Sequence, residues 1–309
     1  MIRPYPERNE AVVSAEYYPS GALRSLMLSK EILIDTPLGP LVPNYVYDDA
    51  RKKYAPGVVF YESGALKSLR LLNVTEVPTP LGKKLPAEKL SFYENGALKR
   101  LFPLDGRLSG FWSEKDERKL LSPIPLKLSF GAFNILASGI AFYPEGSIRS
   151  VTLWPGENLS LPLSSGMVKV GAGFSLYPQG MLQSVEPKVP VKVETPLGPM
   201  EAFDPEALGV CADSNSLGFS PEGKVVKLKA LVILEYLKGG GQLVIKPFSK
   251  PHPLDDARVL HRPLSFVFSP TKVTVSRDLL GEGPYCLELC SKLTLRPYIA
   301  HRLARITIK

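Results

Sequence analysis

Residues 17–26 read YYPSGALRSL, and the phrase returns as FYESGALKSL (60–69), FYENGALKRL (92–101), FYPEGSIRSV (142–151) and LYPQGMLQSV (176–185). Aligned on Gly21, Gly64, Gly96, Gly146, Gly180 and Gly223, the flanking positions fall into register, which is the mark of a repeat protein. Four positions before the glycine stand Tyr17, Phe60, Phe92, Phe142, Leu176 and Phe219. Three before it stand Tyr18, Tyr61, Tyr93, Tyr143 and Tyr177, and Ser220 breaks the series. Two after it come Leu23, Leu66, Leu98, Ile148, Leu182 and Val225, followed by Arg24, Lys67, Lys99, Arg149, Gln183 and Val226.

The turn chemistry selects the hairpin. Pro19, Pro144, Pro178 and Pro221 lie two before their glycines. In a two-residue loop such a proline would occupy a paired position and forfeit a ladder hydrogen bond. A three-residue loop removes the conflict: proline takes the first turn position at its natural φ, and glycine takes the left-handed closing position, where a Cβ is costly. The register then pairs each minus-four aromatic with the plus-two aliphatic residue, so these columns are expected in the core and the adjacent basic column in water.

A second turn follows each first one. TPLGP at 36–40, TPLGK at 79–83 and TPLGP at 195–199 each place their glycine 18 residues after the first-turn glycine, and LSSGM at 163–167 places it 20 after. Each unit is therefore two hairpins in series. Two returns, Gly39 to Gly64 and Gly198 to Gly223, are 25 residues long where others are 14, and the excess (VPNYVYDDARK, FDPEALGVCAD) reads as surface insertion. The middle unit is irregular, and SEKDERKLL within it reads as a solvated helical turn.

Residues 92–114, FYENGALKRLFPLDGRLSGFWSE, resemble the MORN-variant repeat of bacterial proteins through Phe92, Tyr93, Gly96, Lys99, Gly106, Gly110 and Trp112. The other units match only its first half. The resemblance implies a chain of β-hairpins forming a long antiparallel sheet, and recognition without a shared chemistry.

Composition agrees with an all-β chain. Thirty prolines and 25 glycines punctuate short apolar runs, and 44% apolar residues exclude wholesale disorder. The architecture expected is tandem β-hairpin repeats forming an elongated antiparallel sheet or solenoid over 1–223, closed by a basic, β-rich capping segment at 224–309, since a bare strand edge invites aggregation. The segment 224–309 holds 15 Lys and Arg against 6 Asp and Glu, and residues 1–223 hold 23 against 24. The amino terminus has no apolar core for a secretory signal, no apolar run is long enough to span a bilayer, and three cysteines suit a reducing compartment, so the expected location is the cytoplasm.

Chemistry is hard to find. His252, Asp255, Asp256 and His261 with Cys286 and Cys290 suggest zinc, but Cys286 and Cys290 on one strand would lie about 13 Å apart, too far to share an ion. KGGGQLVI at 238–245 precedes a strand and reads as a hairpin turn, not a phosphate cradle. No catalytic, metal or cofactor site is expected. The expected function is a non-enzymatic binding or scaffold protein recognising a protein partner, with Tyr18, Tyr61, Tyr93, Tyr143 and Tyr177 as a candidate aromatic strip. The alternatives are a weak nucleic-acid or anionic-membrane binder acting through Arg296, Arg302, Arg305 and Lys309, and an unrecognised enzyme.

Overall fold

The structure, a computed structural model, describes residues 10–46, 49–163, 166–207, 211–238, 241–252, 255–277, 283–289 and 293–298. Apart from one short helix, Glu114–Arg118, its regular elements are antiparallel strands. The chain divides into two compact units, Met1–Glu157 with Pro178–Gly180, and Asn158–Tyr177 with Met181–Lys309.

All six first-turn glycines have positive φ, between 79° and 97°. Around Gly21 the amide of Tyr18 donates to Ala22 O at 2.8 Å and that of Gly21 to Tyr18 O at 2.9 Å, which closes a three-residue loop. The Gly64, Gly96, Gly146 and Gly223 turns repeat both bonds. The expected cross-strand pairs are all formed: Tyr17 with Leu23, Phe60 with Leu66, Phe92 with Leu98, Phe142 with Ile148, Leu176 with Leu182 and Phe219 with Val225.

In the first unit the Gly21 hairpin (Val12–Tyr17, Leu23–Leu28) pairs with the Gly64 hairpin (Val58–Phe60, Leu66–Pro78). The Gly96 hairpin (Lys84–Phe92, Leu98–Phe102) and the Gly146 hairpin (Ala137–Phe142, Ile148–Leu153) follow in chain order. In the second unit the Gly180 hairpin (Gly166–Leu176, Leu182–Pro187) pairs with the Gly223 hairpin (Leu217–Phe219, Val225–Ala230). A seventh hairpin, Leu264–Phe268 with Lys272–Ser276, continues the pattern without a glycine, its turn closed by Ser269 N to Lys272 O at 2.8 Å, and Tyr285–Glu288 lies beyond it.

A single sheet leaves its apolar face bare, and the second hairpins provide cover. Val191–Thr195 with Gly198–Ala202 lies against Val225–Ala230 and buries Val193, Met200 and Ala202. In the first unit Ile34 and Leu41, on Ile34–Thr36 and Gly39–Leu41, are likewise buried. The tips of three second hairpins, Ile34–Thr36 with Gly39–Leu41, the ends of Leu66–Pro78 and Lys84–Phe92, and Ile124–Leu128 with Gly131–Ile135, each reach the first turn two repeats further along. Pro37 sits 3.3 Å from where a Cβ on Gly96 would project, Pro80 sits 2.8 Å from that of Gly146, and Ser129 Oγ donates to Gly180 O at 2.8 Å. Glycine is thus required twice at 96 and 146, for its φ and for the proline resting on it.

Three expectations need correction. Tyr17 is 53% exposed and Leu23 only half-buried, because no described strand pairs with the outer edge of Val12–Tyr17. The first 25-residue return is more than a surface insertion, since it carries Lys52 and Arg51 into a buried ion cluster. The sequence around Cys286 and Cys290 is not one strand: Tyr285–Glu288 pairs with Lys272–Ser276, whereas Leu293–Pro297 pairs with Val232–Lys238. The helical turn forms at Glu114–Arg118, but it is not wholly solvated, since it buries Glu117; Val232–Lys238 pairs antiparallel with Gly241–Ile245, as a hairpin requires.

Phe92, 1% exposed, therefore carries far more stability than Tyr17. Phe92→Ala is expected to cost about 3–5 kcal/mol in chemical denaturation and Tyr17→Ala under about 1 kcal/mol.

Candidate interaction site

The minus-three tyrosines are built into the sheet. The Tyr18 hydroxyl donates to Phe60 O at 2.9 Å, Tyr61 to Phe92 O at 2.9 Å, Tyr93 to Phe142 O at 2.8 Å and Tyr177 to Phe219 O at 2.8 Å. Each phenol thus reaches from its own hairpin to the minus-four carbonyl of the next. Tyr143 occupies the same slot and is half-buried like the others. Burial pushes the Tyr61 phenol up, with the neighbouring Glu94 adding to the shift, so it keeps the proton it donates.

The basic column is the lid on these rings. Arg24 lies 5.9 Å from the Tyr18 ring centroid, Lys67 5.3 Å from Tyr61 and Lys99 5.3 Å from Tyr93, each a cation–π contact worth about 0.5–1 kcal/mol at a half-exposed site. The candidate aromatic strip is therefore occupied on four of its hydroxyls and, at three positions, on its ring faces.

The sixth hairpin departs from this rule at both positions, with Ser220 for tyrosine and Val226 for the cation. An open groove of about 830 Å³ lies there, lined by Val193 and Pro196 of a second hairpin, by Phe219 and Val226, and by Phe268 and Pro270 of the seventh hairpin. Ser220 lines it too, its hydroxyl turned to its own loop, where it accepts from Lys224 N at 3.3 Å. The departure was visible in the alignment. What alignment could not give is the groove, because Pro270 and Phe268 belong to a hairpin without the glycine signature.

The two long returns hold the buried charge. They are equivalent in backbone: Asn44 N to Arg70 O and Arg70 N to Gly57 O in the first, Phe203 N to Lys229 O and Lys229 N to Ser216 O in the second. In the first, the Arg51 guanidinium donates to Glu88 at 2.6 and 2.8 Å and to Glu117 at 2.6 and 2.7 Å, both glutamates being almost fully buried. Burial opposes its charge, but the hydrogen bonds to Glu117 and Glu88 outweigh that and hold Arg51 protonated far above ordinary pH. One guanidinium thereby ties the return, strand Lys84–Phe92 and the helix together. Arg51→Met leaves the two buried carboxylates with only Lys52, 3.8 Å from Glu88, as counter-charge, and is expected to cost about 3–5 kcal/mol in urea denaturation, part of which Glu117→Gln restores.

Beside the second return, Glu186 of strand Leu182–Pro187 lines a polar pocket of about 390 Å³ together with Asp204, Glu206, Cys211, Asn215 and Lys227. Its carboxylate accepts from Ser216 N at 2.8 Å and from the Ser216 hydroxyl. Asn215 Nδ2 donates to Ser184 Oγ at 2.7 Å, and Asp204 pairs with Lys229 at 3.0 Å. Burial pushes Glu186 up, against the Ser216 hydrogen bonds and the Lys229 charge, with Asp204 adding to the rise. A carboxyl raised in the folded state binds more protons there than when unfolded, so its ionisation destabilises the fold above its folded value and costs nothing below the ordinary one. Glu186→Gln is expected to raise the denaturation midpoint at pH 7, and the gain to vanish below about pH 4.

The remaining sequence candidates come together only in part. Arg296 lies on Leu293–Pro297 with Nη2 3.1 Å from Glu235. Arg302, Arg305 and Lys309 lie outside the described residues. His261 Nδ1 is 2.9 Å from Ser249 Oγ and 3.2 Å from the Tyr298 hydroxyl. Cys290 lies outside the described residues, Cys286 is exposed, and among the described residues no group of three His, Cys, Asp or Glu side chains is placed to hold a metal ion. Among them, too, no helix is long and apolar enough to cross a membrane. No protein-family model matches the chain, and no curated protein matches it.

Proposed function

We propose that the chain is a non-enzymatic binding or scaffold protein, built from β-hairpin repeats, that recognises a protein partner. The observation that carries this reading is the groove at the sixth hairpin. There the repeat gives up a tyrosine and a cation, and half-buried Val226, with the edges of the otherwise buried Val193, Phe219 and Phe268, lines an open volume. Apolar, concave and rimmed by the charges of Glu222 and Lys224, it has the make-up of an interface centre with a polar rim. Four of the repeated tyrosines bond to the next hairpin and three of the repeated cations cover their rings, which suits a scaffold. The sparse cysteines and the MORN-variant resemblance of residues 92–114 support a bacterial cytoplasmic setting.

Affinity capture with the full chain is expected to recover one protein in stoichiometric amount, and the Val226→Glu chain less than about a tenth of it, a loss of about 1.4 kcal/mol or more. Recovery of no stoichiometric partner by the wild-type chain overturns the reading.

A further inference from the structure

The groove has a more specific shape than an apolar patch. In four hairpins the minus-three tyrosine spans from its own turn to the next hairpin's minus-four carbonyl, with the donor–acceptor distance held at 2.8–2.9 Å each time. The residue of the seventh hairpin that pairs across its turn, and so stands where those acceptors stand, is Phe268, opposite Val273. A tyrosine at 220 would therefore lie over Val226 and direct its hydroxyl toward Phe268 O. Both Ser220 and Phe268 line the groove, together with Val225 and Val226. The groove takes in the position of one missing ladder tyrosine and extends well beyond it, toward Val193 and Pro196.

Resting on the binding reading above, we infer that this groove is the seat for a tyrosine side chain presented by a partner protein. The seat continues a row of phenol positions that the chain itself fills at Tyr18, Tyr61, Tyr93 and Tyr177, and the row shows what kind of group the fold accepts there. Val226 replaces the cation that elsewhere lies over the ring, so the incoming ring meets an apolar wall in place of a hydrated charge. Ser220 is too short to reach across and bonds within its turn, which leaves the volume to the partner.

The experiment uses p-cresol, the tyrosine side chain alone, titrated into the full chain while the methyl resonances of Val193, Val225 and Val226 are followed. Saturable shifts at these valines are expected, with toluene, which lacks the hydroxyl, at least threefold weaker. Ser220→Tyr fills the seat from within; it is expected to abolish the shifts and to raise the midpoint of chemical denaturation. Should Ser220→Tyr fold poorly, Val226→Lys, which restores the cation of the repeat, is expected to weaken p-cresol at least fivefold. Absent shifts, toluene binding as tightly as p-cresol, or shifts that persist in a folded Ser220→Tyr chain overturn the inference. A partner captured equally well by wild-type and Ser220→Tyr chains overturns the tyrosine seat and leaves the binding reading standing. A p-cresol seat without any stoichiometric partner overturns the binding reading instead. Dimerisation of the chain that Ser220→Tyr abolishes, with no other protein captured, overturns the inference in favour of a seat for a second copy.

Discussion

The structure depends on a phenol hydroxyl reaching from one hairpin to the backbone of the next. Within a hairpin the ladder hydrogen bonds and the aromatic–aliphatic pair are local, and an isolated two-stranded hairpin is marginal in water. At two junctions between the hairpins of the first unit strand pairing is short, Ser25 and Leu26 opposite Val59 and Val58, and Ile140 and Ala141 opposite Leu101 and Arg100, whereas Leu66–Pro78 and Lys84–Phe92 pair at length. The tyrosine adds a tie at the turn end, where the ladder has run out. Its bond contributes about 0.5–1.5 kcal/mol on the usual scale, and the cation over its ring a little less. Repeated along the sheet, these small terms fix the spacing at which the hydrophobic columns meet.

Much of this was legible. The glycine column implied positive φ because only a three-residue loop reconciles it with Pro19, Pro144, Pro178 and Pro221, and the pairing of Phe92 with Leu98 then follows by counting. The tyrosine column could be placed opposite the core but not given a partner, because its acceptor is a backbone carbonyl 31 to 49 residues away and carbonyls leave no trace in sequence. Burial at Tyr17 was misjudged because the motif is identical at an edge and in the middle of a sheet, while exposure is not. The seventh hairpin was visible as strands but not as a repeat: Ser269–Lys272 closes its turn without the glycine on which the alignment was hung.

The charged clusters were illegible for a different reason. Arg51, Glu88 and Glu117 come from a return, a strand and a helix, and nothing in local periodicity connects them. The two returns share length and backbone bonding, yet one encloses a saturated guanidinium–carboxylate cluster and the other an open pocket around Glu186. Equal scaffolding with unequal contents is what a duplicated element looks like once its side chains have drifted, and function is better sought in the differences than in the motif.

The tips resting two turns ahead, Pro37 on Gly96 and Pro80 on Gly146, change how such a chain melts. In most repeat proteins each module feels only its immediate neighbours, so an end can fray one module at a time. Here the second hairpin of one unit clamps the turn of the next but one, and loosening any unit releases cover from a site two places away. Local opening must then spread in blocks of at least three hairpins. Hydrogen exchange in the first unit would show turn amides of successive repeats sharing one opening free energy, not a gradient from the edge inward.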